Sequence, residues 1–306
     1  MPGDTHKRTH EGSAKMATTS TAAEVIAKQG DVIFHVGKAP QTEKKLLVSS
    51  VLLSYMSPVF AVMFDGRFVE GQALSPTSPR VVPLPEDDAD LMAIVCKIIH
   101  AQSADLSVTM TPTQLADIAM LCHKYDCVEA VRAWTLIWVA NILKGPMTAD
   151  FEKSLTAAYL FDMAPEFQQL SRNLIRDRSG LLSISAMSNG GDFPPLLLLE
   201  SVVKEQYETQ NRALVALDPI VGAAPDMCEA AQLGIGIFFK ELRKAGIWPL
   251  ARHSVSELLH GFARIPNKQI LKKKCSTHGC SCRKTDLSVA SIFADVAEVY
   301  HTVTGI

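Results

Sequence analysis

Gly30-Asp31-Val32-Ile33-Phe34-His35-Val36-Gly37 opens the region, residues 30 to 143, on which the reading of this chain turns. It continues through Leu46-Leu47-Val48-Ser49-Ser50-Val51-Leu52-Leu53-Ser54-Tyr55-Met56-Ser57-Pro58-Val59-Phe60 and closes with His123-Lys124-Tyr125-Asp126-Cys127. Asp31 to Val36 alternates weakly and is rich in β-branched and aromatic residues, which predicts a strand. A polar turn over Gly37 to Glu43 leads to a second strand at Lys45 to Val48. Ser50 is placed to cap a helix. Ser57 is placed to cap the next, with Pro58 at a first position where a missing N–H costs nothing. Phe60, Met63 and Phe64 then share one helical face.

Gly71 to Pro79, punctuated by serine and proline, predicts a loop, and Arg80 to Leu84 a third strand. Asp87 or Asp88 caps a helix whose apolar stripe is Leu91, Ile94, Val95, Ile98 and Ile99. Thr111-Pro112 opens a helix with Leu115, Ile118, Ala119 and Cys122 facing the core. Tyr125-Asp126-Cys127 turns the chain into a helix from Val128 to Leu143 that buries Val131, Thr135, Trp138 and Ile142. Trp134 and Trp138 read as part of a core stripe. Lys144-Gly145-Pro146 ends that helix and marks a domain boundary.

The organisation expected is therefore a disordered N-terminus over residues 1–23, a folded unit over 24–145 and a helical region over 146–306. Residues 1 to 22 carry few large apolar groups and cannot offset the entropy of ordering. After residue 146, helical periodicity runs through Ala149 to Leu160, Pro165 to Arg176, Pro195 to Leu217, Pro225 to Ala245, Ser254 to Phe262 and Leu287 to Val303. The last of these places Val289, Ile292, Phe293, Val296 and Tyr300 on one face.

Composition narrows the function. Hydrophobic residues make up 47% of the chain and charged residues 20%, which is globular rather than disordered. A formal charge of −2 argues against a whole-molecule electrostatic grip on nucleic acid. Seven scattered cysteines, an odd number, fit a reducing compartment better than a disulfide framework. No apolar run reaches the ~18 residues of a membrane helix, and no secretory signal is visible. A cytoplasmic or nuclear location is expected, without a membrane partner.

Strand, strand, two helices, strand, then three helices is also an element order with a family behind it. On Gly30-Asp31-Val32, Leu53 to Phe60 with its Ser57-Pro58-Val59-Phe60, and Lys124-Tyr125-Asp126-Cys127, the chain resembles the BTB/POZ domain, particularly the type abundant in filamentous fungi. The resemblance covers residues 30 to 143. It departs at Ser49, where many animal members carry histidine. It implies an α+β chain, with a BTB/POZ fold (a short sheet capped by helical hairpins) followed by an all-α C-terminal region. It also implies a non-enzymatic interaction module that associates with itself, with another BTB protein or with a partner.

Two short motifs bear on partners. Phe68-Val69-Glu70 lies where members that recruit a cullin scaffold carry a hydrophobic-x-Glu motif. The resemblance implies an exposed apolar anchor at Phe68 and an acid at Glu70 facing a basic surface, as in a substrate adaptor of a cullin-type ubiquitin ligase. Read without the resemblance, Phe68 packs at the end of its helix and Glu70 is solvated. Cys275, His278, Cys280 and Cys282 place four potential Zn²⁺ ligands within eight residues, beside Gly279. Structural zinc sites more often use two separated ligand pairs, so a reduced loop without cofactor is the competing reading. Lys272-Lys273-Lys274 and Arg283-Lys284 flank it. A BTB-dimerised nuclear regulator with a metal- or nucleic-acid-binding tail is the alternative function. No G-x-S-x-G, phosphate-binding loop, Gly-rich dinucleotide turn or H-E-x-x-H is present, so no enzyme is expected.

Overall fold

The computed structural model describes residues 22–38, 42–187, 194–218, 228–266 and 289–306. The expected disordered N-terminus lies outside them except for residues 22 and 23. The fold is α+β: a small sheet and, after it, helices.

The strands are β1 (Glu24–Val25), β2 (Val32–Val36), β3 (Lys44–Val48) and β4 (Arg80–Leu84), in the sheet order β1-β3-β2-β4. β2 and β3 are antiparallel, while β1 runs parallel to β3 and β4 parallel to β2. In β2 the buried residues alternate, with Val32, Phe34 and Val36 facing the core. Gly30 stands where the chain meets β3 closely: a Cβ there would lie 2.7 Å from the Val48 carbonyl oxygen. β1 was not expected from the sequence, because two residues carry no periodicity.

Between β3 and β4 run α1 (Ser50–Met56) and α2 (Pro58–Phe64). The cap of α1 is Ser49 rather than Ser50. Ser50 is the first helical residue, and its hydroxyl is already committed to Asp31 Oδ2 at 2.6 Å. Ser57 caps α2 with Pro58 behind it, as the spacing predicts.

α3 (Ala89–Ile99) is capped by Asp88. α4 (Pro112–Lys124) opens on a capping box between Thr111 and Gln114, and α5 (Val128–Lys144) follows the turn at Tyr125 to Cys127. The expected core faces of α4 and α5 are buried. In α3 the single-stripe expectation needs correction. Ile94 and Ile98 are only half-buried, whereas Met92 and Cys96 are fully enclosed. The reason is that α3 packs against β3, α1, α4 and α5 and is covered on several sides.

The remaining helices are α6 (Ser154–Leu160), α7 (Ala164–Asp177), α8 (Ile184–Met187), α9 (Leu196–Val215), α10 (Glu229–Lys244), α11 (Val255–Ala263) and α12 (Val289–Thr302). One apolar core runs from the sheet through α3 to α7 and the start of α9, so it continues past Gly145, where α5 ends. A second core joins the end of α9 to α10, α11 and α12. Among the described residues, no helix is long and apolar enough to cross a membrane.

Val95, at 2% exposure, separates the two readings of α3. Val95→Asp buries an unpartnered carboxylate and should cost about 4 kcal/mol or more. Ile98→Asp should cost clearly less, because its carboxylate can turn toward water. Urea unfolding of the full chain measures both, and equal losses would contradict the partial exposure of Ile98.

Candidate interaction surface

α1 and α2 are short helices made almost wholly of apolar residues, so what fixes them and what they leave outside can be separated. At the start of α1, the Asp31 carboxylate accepts the Ser50 amide at 2.8 Å and the Ser50 hydroxyl at 2.6 Å. The Ser49 amide donates to His100 Nε2 at 2.9 Å, and His100 Nδ1 faces the Cys96 carbonyl at 2.7 Å. Nε2 can accept only without a proton, so the hydrogen sits on Nδ1 and points at Cys96. At the start of α2, the Ser57 hydroxyl donates to the Tyr125 carbonyl, and its oxygen accepts the Phe60 amide at 3.0 Å.

Below the helices lies a file of aromatic rings. Phe60 stacks on Tyr125 at 4.6 Å and on Phe34 at 5.6 Å, and Phe64 stands 6.1 Å from Phe60. The Tyr125 hydroxyl donates to Asp87 Oδ2 at 2.6 Å, and Lys124 Nζ reaches Asp87 Oδ1 at 2.6 Å. Burial, reinforced by the Asp87 carboxylate, pushes the Tyr125 hydroxyl far above its usual range, so it stays a donor. The inner residues Leu53, Phe60 and Phe64 are thus fixed from beneath.

No described residue covers the outer ones. Val51, Leu52, Tyr55 and Met56 on α1, with Val59 and Val62 on α2, are all exposed, and Tyr55 reaches 82%. Six large apolar side chains on two adjoining helices exceed the scattered exposure of an ordinary surface. The sequence motifs include most of these residues but assign none of them a contact. The signal available was a pair of helices lacking any polar face.

Phe68, Val69 and Glu70 follow directly. Phe68 caps a single 3-10 turn, Val69–Gly71, and is 51% exposed, so it does not pack away at a helix end. Val69 is 64% exposed and Glu70 is half-exposed, with no ion pair to a described residue. The turn is seated tightly, since a Cβ on Gly71 would lie 2.8 Å from the Gly66 nitrogen. Arg80 holds it from β4, donating from Nε at 3.0 Å and Nη2 at 2.5 Å to the Val69 carbonyl.

The other candidates stand apart. Cys275, His278, Cys280 and Cys282, with the lysines and arginine flanking them, lie outside the described residues. Among the described residues, no group of three or more His, Cys, Asp or Glu side chains is placed to share a metal ion. A groove of about 840 Å³ at the α6–α7 turn is lined chiefly by apolar side chains such as Met163, Phe167 and Leu198. His35 lies 3.5 Å from Glu43 at the far end of the sheet, and Trp138 donates its indole N–H to Ser107 at 3.0 Å. No protein-family model matches the chain, and no curated protein matches it.

Two measurements test the pinning of this surface. Asp87→Ala leaves the buried Tyr125 hydroxyl without an acceptor and should cost about 3 kcal/mol, and Lys124→Met, which removes the cation from a carboxylate only 4% exposed, should cost about 2 kcal/mol or more. Burial holds the His100 imidazole below its ordinary pKa. A folded pKa below the unfolded one means that the unfolded chain takes up the proton first. The stability held by neutral His100 is complete above the unfolded value of about 6.5 and declines as pH falls through it toward the folded value. Urea midpoints of wild type and His100→Gln, compared at neutral pH and near pH 5.5, should therefore converge on acidification. A constant gap would show that His100 is not held neutral.

Proposed function

We propose that this chain is a non-enzymatic interaction module of the BTB/POZ type, in which the outer face of α1 and α2 meets a second copy or another protein bearing the same kind of face. The exposed apolar set Val51, Leu52, Tyr55, Met56, Val59 and Val62 carries the reading. The helices bearing it are anchored by hydrogen bonds to Asp31, His100 and the Tyr125 carbonyl, so the face is presented in a fixed shape. A preorganised apolar face loses little entropy on association. The order of strands and helices over residues 30 to 143 agrees with the resemblance read from the sequence.

Within that reading, Phe68 to Glu70 is the candidate contact for a cullin scaffold. The chain would then act in the cytoplasm or nucleus as a substrate adaptor of a cullin-type ubiquitin ligase. The exposure of Phe68 and Val69 supports this role, because an anchor residue has to reach its partner's pocket.

Sedimentation across a concentration series tests the first part. Wild type should move from monomer to dimer, and Val51→Asp/Tyr55→Asp should remain monomeric, with a melting temperature equal to that of wild type at dilutions where wild type is itself monomeric, since both side chains are exposed in the single chain. A strict monomer at high concentration would remove self-association. For the second part, Phe68→Ala with Glu70→Lys should weaken capture of a purified cullin N-terminal domain about 30-fold, the scale of losing one anchor residue. Capture unchanged by the pair, or absent in wild type, would remove the adaptor role.

A further inference from the structure

The segment joining the 3-10 turn to β4 contains two Ser-Pro pairs, Ser75-Pro76 and Ser78-Pro79, which the structure treats differently. Ser75 is half-buried, its hydroxyl lies 2.8 Å from Thr77 Oγ1, and it accepts the Thr77 amide at 3.3 Å. Ser78 is exposed, and its hydroxyl has no hydrogen-bond partner among the described residues. Ser78 closes a turn, its amide bonded to the Ser75 carbonyl at 3.1 Å, and sits at a bend with its side chain open to an approaching enzyme. Two residues on stands Arg80, whose guanidinium bonds the neutral Val69 carbonyl and has no carboxylate partner among the described residues. The two-residue step from Ser78 to Arg80 is a span that the long arginine side chain can reach across.

We infer that Ser78 is a phosphorylation site, and that its phosphate draws Arg80 off the Val69 carbonyl and loosens the turn carrying Phe68 to Glu70. In the transfer, Ser78 Oγ bonds to the γ-phosphorus of a nucleoside triphosphate. The bond from that phosphorus to the β-bridging oxygen breaks, the nucleoside diphosphate leaves, and the hydroxyl proton passes to the base of a proline-directed kinase. The product carries close to two negative charges at neutral pH. A guanidinium–phosphate pair is charge-assisted and bidentate, whereas the carbonyl it replaces is neutral. Val69 O then keeps only the Gln72 amide, at 3.3 Å. The inference concerns the turn itself and does not depend on what the turn binds.

The test treats the full chain with a purified proline-directed kinase and ATP, locates the phosphate by mass spectrometry, and follows amide exchange at Gly71 and Gln72. Ser78 should be modified well ahead of Ser75. Exchange at the two amides should rise about tenfold on stoichiometric modification, the scale of one lost charge-assisted hydrogen bond. Arg80→Ala should exchange fast beforehand and respond no further. If that variant does not fold, Arg80→Lys keeps the charge, lacks the fork, and should show a blunted response. Modification of Ser75 at an equal or greater rate, no modification of Ser78, or unchanged exchange in the phosphorylated protein would each overturn the inference.

Discussion

The side chain and carbonyl of Tyr125 tie together segments that are far apart in the chain. Its ring lies against Phe60 of α2, its hydroxyl is fixed by Asp87 ahead of α3, and its carbonyl accepts the Ser57 hydroxyl at the α2 cap. Three interactions of different kinds converge on one residue at the end of α4. Stacking supplies apolar contact, the carboxylate satisfies the one polar group the ring carries inward, and the cap sets where α2 begins. Asp126 follows at a positive φ of 47°, a conformation that aspartate tolerates better than most residues, and this lets α5 start at once. The Lys-Tyr-Asp-Cys run is thus a junction in which each residue type answers a separate physical requirement.

That junction accounts for the asymmetry of α1 and α2. A seven-residue helix is too short to persist in water on its own. Both helices persist because their inner residues are buried and their starts are tied to remote groups, the Asp31 and His100 side chains for α1 and the Tyr125 carbonyl for α2. Once held, they need nothing from their outer faces, which stay apolar and open. The stability of the unit and the availability of the surface rest on different residues. Substitutions on the outer face can therefore change the exposed surface while leaving the fold intact.

What was legible in the sequence follows the same division. The strand Val32 to Val36, the Ser57-Pro58 start and the core faces of α4 and α5 announce themselves through periodicity and caps. β1 does not, because a two-residue strand exists only through pairing with Leu46 and Leu47. Ser49 and Ser50 are equivalent as caps until Asp31 is seen to occupy the second. Met92 and Cys96 were missed because a single stripe assumes one buried side, and α3 has several. In PVFAVMF the spacing of Phe60, Met63 and Phe64 marks the inner face, whereas VLLSYM, polar only at Ser54, has no periodicity that shows which side is covered. Phe68 was equally undecidable, its exposure depending on where Arg80 pulls the turn.

The arrangement at Arg80 shows how an irregular loop can sit beside a defined surface. Gly71 to Pro79 leaves the 3-10 turn and returns as β4, and its length adds little to the entropy of closure. What defines the turn is one long-range link, from the first residue of β4 to the Val69 carbonyl, together with the close seat of Gly71 on the end of α2. Because β4 is itself registered against β2, with Val32 opposite Arg80, the guanidinium is placed by the sheet and not by the loop. The turn carrying Phe68 to Glu70 therefore inherits its position from the central strand, the same element that presents Phe34 to the aromatic file. Surface and turn share one foundation in β2, which is why a fixed relation between them survives a flexible-looking connection.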